Sequence, residues 1–339
     1  MTARIAGMGW VTPLGADLGT VWERFAAGEV PEPKVLTNPG TGTLHRYFSV
    51  PPKLVDHLAR NPRLRRSSAV SYYAVAAGLA ALEDAGLKFD QLDPARTAVV
   101  FAVSDGGVIY TRRFYEQIVK QGANTASPLL FPETVYNAPA SHLAALLGID
   151  GASYTLVGDS SVGLATLHFG AQLLALGGID QCIVVGAEEC DWILCEAYRT
   201  WRMARAPLAE GAAAVVLRAD GRWNLRTHAG VAFFRQREAQ AALERVLADF
   251  AAEPPVDLIV SSANQTFVDR AEQSALNSRY ADTRTLFPKR HFGEAPGASA
   301  LLQTVLAAVA LERLNLRSAL VPVIGFSQQA SAAQLTRTR

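Results

Sequence analysis

LVGDSSVGLATLHFGAQLLALGG, residues 156–178, sets two serines in front of an apolar run with no breaker until Gly177 and Gly178. Leu164, Leu167, Ala171, Leu174 and Ala175 recur at helical i, i+3 and i+4 spacings. The positions between them are mostly small or apolar too, which predicts a helix buried on all sides. Asp159, Ser160 and Ser161 at its start admit two readings. A side-chain oxygen there can cap orphan backbone N–H groups, a contribution of about 1 kcal/mol. Alternatively, the helix N-terminus offers positive field and N–H donors to a nucleophile or oxyanion. That second use suits a thiol better than a hydroxyl, because a serine needs a general base. His168 lies two turns down the same helix, where a core position is expected, and His45, His57, His142 and His228 sit in contexts with no nucleophile signature. The spacing also misses the G-x-S-x-G elbow, since Val162 stands where the second glycine would follow Gly158 and Ser160.

Outward from this stretch, short β-branched runs alternate with alanine- and leucine-rich helical patterns, the signature of an α/β architecture with helices covering a largely parallel sheet. Strands are expected at 3–7, 97–103, 181–186, 212–218, 257–261 and 320–326, and helices at 17–27, 68–85, 139–147, 162–176, 235–251, 269–280 and 297–313. The order looks duplicated, with ALGGIDQCIVVGAEE echoed by FAAEPPVDLIVSSANQ. The seam is expected at 219–226, ADGRWNLR, between the strand GAAAVVLR and a following one in THAGVAFF.

Composition narrows the function. Half of the 339 residues are apolar, 19% are charged and the net charge is +1, so no basic field marks a nucleic-acid binder. The one dense basic run, RNPRLRR at 60–66, reads as a solvated loop and helix start. The opening MTARIAGMGW lacks a signal-peptide pattern, and no apolar stretch reaches the roughly 18 residues of a spanning helix, so a cytoplasmic protein is expected. Cys182, Cys190 and Cys195 form no even framework and no paired metal motif, and are expected to be buried thiols. The glycines of AGMGWVTPLG lack G-x-G-x-x-G spacing and read as a turn; no cofactor or metal is expected.

Five stretches in order resemble the β-ketoacyl-acyl-carrier-protein synthases of the thiolase fold: AGMGWVTPLGADLGTVWERFAAGE, SSAVSYYAVAAGLAALEDAGL, GIDQCIVVGAEE, LAEGAAAVVL and KRHFGEAPGASALLQTVLAAVAL. The likeness runs from about residue 3 to 335. It implies a five-layer αβαβα architecture of two similar halves, here 1–220 and a shortened 221–339, and a dimer.

Active members of that family carry a cysteine nucleophile and two histidines. In this chain the resemblance puts Ser160 at the cysteine position, Ser261 at or near the first histidine and Glu294 at the second, while the lysine is kept as Lys289. Glu294 would set a negative charge where a malonyl carboxylate must bind. Ser327 and Gln328 replace glycines of the family's gating loop. The combination resembles a chain length factor, the non-catalytic partner of a cysteine ketosynthase in type II polyketide or aryl-polyene systems. That resemblance implies a heterodimer serving an acyl carrier protein. Phe131 and Tyr136, in SPLLFPETVYNAPA, are expected at the acyl tunnel or dimer interface. The alternative is a Ser160-dependent acyltransferase or thioesterase that recruits His291 or His228 as base; a third class, an α/β-hydrolase, leaves four of the five stretches unexplained.

Overall fold

A computed structural model describes residues 3–250, 255–327 and 329–338. The first half of the chain folds as β1 (Arg4–Val11), α1 (Leu18–Ala26), β2 (Lys34–Thr37), β3 (Leu44–Phe48), α2 (Ala69–Asp84), β4 (Thr97–Val103), α3 (Val108–Gln121), α4 (Ala138–Leu147), β5 (Ser153–Val157), α5 (Val162–Ala175), β6 (Gln181–Glu188), α6 (Trp192–Trp201), β7 (Leu208–Ala209) and β8 (Gly211–Arg218). The second continues with β9 (Trp223–Thr227), β10 (Val231–Ala232), α7 (Ala239–Ala248), β11 (Leu258–Val260), α8 (Phe267–Tyr280), β12 (Arg284–Leu286), α9 (Lys289–Phe292), α10 (Pro296–Arg313), β13 (Ser318–Ile324) and β14 (Gln329–Arg337).

The duplication is explicit in the strand order. The first five-strand set runs β1-β8-β6-β4-β5 and the second runs β9-β14-β13-β11-β12. In each, the first three strands pair antiparallel and the last three parallel. The two sets join where Arg4 and Ile5 pair with Asn224 and Trp223. Thus β6 corresponds to β13 and β11 to β4, which corrects the echo expected between the β6 and β11 segments. Residues 251–254 of that stretch, and residue 251 of the helix expected at 235–251, lie outside the described residues.

Three apolar clusters define the layers. Helices α2 and α4 cover the outer face of the first set, α7 and α8 cover that of the second, and α5 and α10 lie between the two, touching strands of both. Sixteen consecutive residues of α10, Pro296–Leu311, are buried, as a helix between two sheets requires. The seam is shorter than expected: β9 begins at Trp223, inside 219–226. Its inward residues Trp223 and Leu225 alternate with polar Asn224 and Arg226, a two-residue period that the turn-like composition masked.

Two local expectations are overturned. Gly7 and Gly9 lie in β1 rather than in a turn; a Cβ at Gly7 would come within 2.3 Å of the Ala81 carbonyl, so these glycines let α2 press against the strand. Helix α5 is buried along its first turns, but Gln172 and Ala175 are exposed and His168 is only half-buried, bonded through Nδ1 to Thr227. All three cysteines are buried, and RNPRLRR is a turn anchored by buried Leu64 with its arginines in solvent. No helix among the described residues is long and apolar enough to cross a membrane.

Candidate functional site

The two central helices begin at one place. At Gly163, a Cβ would lie 2.9 Å from that of Ala300, so α5 and α10 cross in close contact and their N-termini converge. Ser160 stands just before α5. Glu294 stands just before α10, after Gly293, whose φ of 79° and tight surroundings against Pro207 and Ala209 admit no side chain. The Glu294 backbone is clamped on both sides, its N–H donating to Pro207 O and its carbonyl accepting from Ala209 N, each at 2.8 Å.

The Glu294 carboxylate is the centre of the site. Oε1 accepts from Ser160 Oγ at 3.0 Å and Ser299 Oγ at 2.8 Å; Oε2 accepts from Lys289 Nζ at 2.7 Å and Asn264 Nδ2 at 3.3 Å. Ser160, Lys289 and Glu294 are at most 3% exposed. A buried carboxylate is tolerated when its lone-pair sites are filled and a cation sits beside it, and both conditions are met. The field at the two helix starts also favours an anion. That anion is the protein's own side chain. The negative charge expected from sequence thus has a cation beside it, Lys289.

Ser261 stands apart from this trio. It follows β11 and donates to Glu272, which also accepts from the amide and hydroxyl of Ser262. Burial pushes the Glu272 carboxyl up, against these donors and nearby Lys289, which pull it down. The histidines are elsewhere. His291 directs Nδ1 to the Glu29 carbonyl at 2.8 Å and packs edge-on against Phe25; His228 accepts from Gly230 N and pairs with Asp249 at 3.1 Å. Neither reaches Ser160, so the base that a serine enzyme needs is not supplied by the two residues named for it. The capping expectation also changes. Ser161 is the N-cap of α5 but makes no side-chain cap; its hydroxyl and amide both donate to Asp159.

The profile of the beta-ketoacyl synthase N-terminal domain matches residues 3–221, well over half of the chain. The chain belongs to the β-ketoacyl synthase family. Among curated members, 3-oxoacyl-[acyl-carrier-protein] synthase 2 of Vibrio cholerae serotype O1 (strain ATCC 39315 / El Tor Inaba N16961) is 24% identical over 186 residues, 55% of this chain and 45% of that protein. The chain thus matches a little under half the length of this relative. Solved structures show the ketosynthase fold. The ishigamide ketosynthase/chain length factor superposes with a TM-score of 0.82 at 20% identity, covering 100% of both chains. The ketosynthase ApeO in complex with its chain length factor ApeC, from Xenorhabdus doucetiae, gives 0.80 at 16% identity over 99% and 98%.

Sequence reasoning brought together Ser160, Glu294 and Lys289 but missed Asn264 and Ser299, which complete the carboxylate's shell. Their signal was faint: Asn264 sits in the polar run SSANQT and Ser299 among the small residues APGASA, yet each is only 2% exposed. Of the outer pair, Phe131 (54% exposed) stacks near Phe114 and Tyr136 (46% exposed) lies over Gly106. Ser327 bonds to Asp159; Gln328 lies outside the described residues.

Proposed function

We propose that this chain is a non-catalytic subunit of the chain-length-factor kind, pairing with a cysteine-bearing ketosynthase that elongates acyl chains held on an acyl carrier protein, and shaping the tunnel they occupy. One observation carries the reading. Ser160, which the family resemblance puts at the nucleophile position, directs its hydroxyl proton at a carboxylate already held by Lys289, Ser299 and Asn264, and among the described residues no histidine is bonded to it.

The surface supports a partner. Strand β5 ends the first set, so one edge of its backbone is unpaired among the described residues, and Tyr154 and Val157 on it are 44% and 53% exposed. An exposed apolar edge strand is a liability unless something covers it. Tyr115 and Val119 on α3, with Leu129, Phe131 and Tyr136 after it, are further exposed apolar side chains. A separate cleft of about 600 Å³, lined by Arg46, Arg199, Arg202 and Arg205, suits an acidic partner such as a carrier protein.

The test is co-expression with a cysteine ketosynthase encoded beside this chain, purification through a tag on this chain alone, and an assay of malonyl-dependent elongation with and without Ser160→Ala. A stoichiometric complex whose activity survives the substitution supports the reading. A complex that stays folded but loses activity would make Ser160 a working nucleophile, and no complex at all would remove the partner.

A further inference from the structure

Cys190 and Cys195, the two ends of CDWILC, stand where the chain leaves β6 and enters α6. Asp191 is the N-cap of α6, so Cys190 lies just outside the helix and Cys195 in its first turn, its amide donating to Asp191 O at 3.2 Å. That turn brings the two sulfurs together. Both belong to one small buried cluster with Tyr47, Tyr198 and Leu208, and the Cys190 thiol hydrogen-bonds to that of Cys195. The bond pulls the Cys195 thiol below its ordinary range and pushes that of Cys190 up, a rise to which burial adds. Access separates them further. Cys195 forms part of the wall of the arginine-lined cleft, beside Arg46, Arg199 and Arg202, whereas Cys190 is 4% exposed and does not line it. Cys182, inside β6, is fully buried in a different cluster, and burial pushes its thiol up.

We propose that Cys195 and Cys190 are an oxidation site, a dithiol that hydrogen peroxide entering the cleft converts to a reversible disulfide. Cys195 is the attacking thiol and Cys190 the resolving one. The Cys195 thiolate attacks one peroxide oxygen and the O–O bond breaks; hydroxide leaves, takes up a proton to become water, and a sulfenic acid remains on Cys195. The Cys190 sulfur then attacks Cys195 Sγ, and its proton departs with the sulfenic oxygen as a second water. The two thiols lose two electrons in all, and the peroxide is reduced to two waters. The new bond ties the turn after β6 to α6, whose Tyr198 donates to Asp105 and packs edge-on against Phe326. The dithiol is independent of any chemistry at Ser160.

The test maps the bond. The full chain, reduced and freed of reductant, is titrated with hydrogen peroxide, its remaining thiols are alkylated, and it is cleaved before Asp180 and Asp191. That leaves Cys182 and Cys190 on one peptide and Cys195 on another, so a bond between Cys190 and Cys195 joins the two. The expected product is this joined pair with the alkyl group on Cys182, separated again by dithiothreitol. Cys190→Ala should stop at a Cys195 sulfenic acid that dimedone traps, and Cys195→Ala should slow oxidation of Cys190 by about tenfold or more, since the buried thiol has no route to the cleft. Should either variant fail to fold, the bond map of the parent chain decides. A bond to Cys182 or between two chains would overturn the proposal, as would three free thiols at a peroxide concentration that oxidises the urea-unfolded chain. So would a Cys195→Ala variant whose Cys190 is oxidised as fast as in the parent.

Discussion

Ser160 Oγ donates to Glu294 Oε1 across 3.0 Å, joining residues 134 positions apart at the starts of the two central helices. The bond fixes what the serine can do. Its proton points at a carboxylate whose second oxygen carries Lys289, so the site is a closed internal network.

Breaking that network should cost far more than removing the serine. Glu294→Ala strands a buried ammonium and is expected to lower unfolding free energy by about 3–5 kcal/mol, whereas Ser160→Ala should cost about 1 kcal/mol. Urea titrations of both variants check this; equal losses would show that the carboxylate does not anchor the site.

The close approach of α2 to β1 predicts intolerance at Gly7. The nearest obstacles to a Cβ there are backbone atoms of Ala81 and Ala85, which cannot swing aside as a side chain can. Gly7→Ala should lose about 1–3 kcal/mol, read by thermal unfolding. An unchanged midpoint would mean that α2 can shift freely.

Phe131 and Tyr136 are about half exposed, so their truncation should leave the isolated chain within about 0.5 kcal/mol of the parent. The effect should fall on assembly instead. Phe131→Ala or Tyr136→Ala is expected to weaken the complex with the ketosynthase or alter product length, measured by titration of the partner and by product mass. If either variant left both unchanged, that residue would have no part in the tunnel or interface.

Stability should fall as pH rises. Burial pushes the Asp105 carboxyl from 3.8 to about 6 and that of Glu189 from 4.5 to about 7. Because the folded values lie above the unfolded ones, their contribution is full below the unfolded values and is lost as pH climbs through the folded ones. The melting temperature should therefore decline between about pH 4 and 7. Asp105→Asn should flatten part of that slope, since an amide oxygen can still accept from Tyr198, whose hydroxyl now donates to Asp105 at 3.3 Å. A slope identical to that of the parent would take Asp105 out of the account.

Elements with strong periodicity were legible in the sequence. The expected spans of α2, α5, α8 and α10 agree with the observed helices to within two residues at each end, because long apolar repeats at helical spacing leave few alternatives. Helices α3 and α6 and strands β2, β3 and β5 were missed. Their faces are half-exposed and mix polar with apolar residues, as α3 does with VIYTRRFYEQIVKQ, so composition alone does not separate them from loops.

The sequence by itself determined the family and the alternation of strands and helices, and its resemblance singled out Ser160 and Glu294 as the residues to look at. Those features depend on local pattern and on residue identity, both of which a linear string carries. Only the tertiary structure decided that Glu294 is neutralised by Lys289, that Ser160 serves as its donor, and that Asp159 ties the hairpin tip to α5. Each of these is a hydrogen bond or ion pair whose existence depends on how two helices and a hairpin from distant parts of the chain are packed, and hydrogen-bond energy falls away within about an ångström of the right placement.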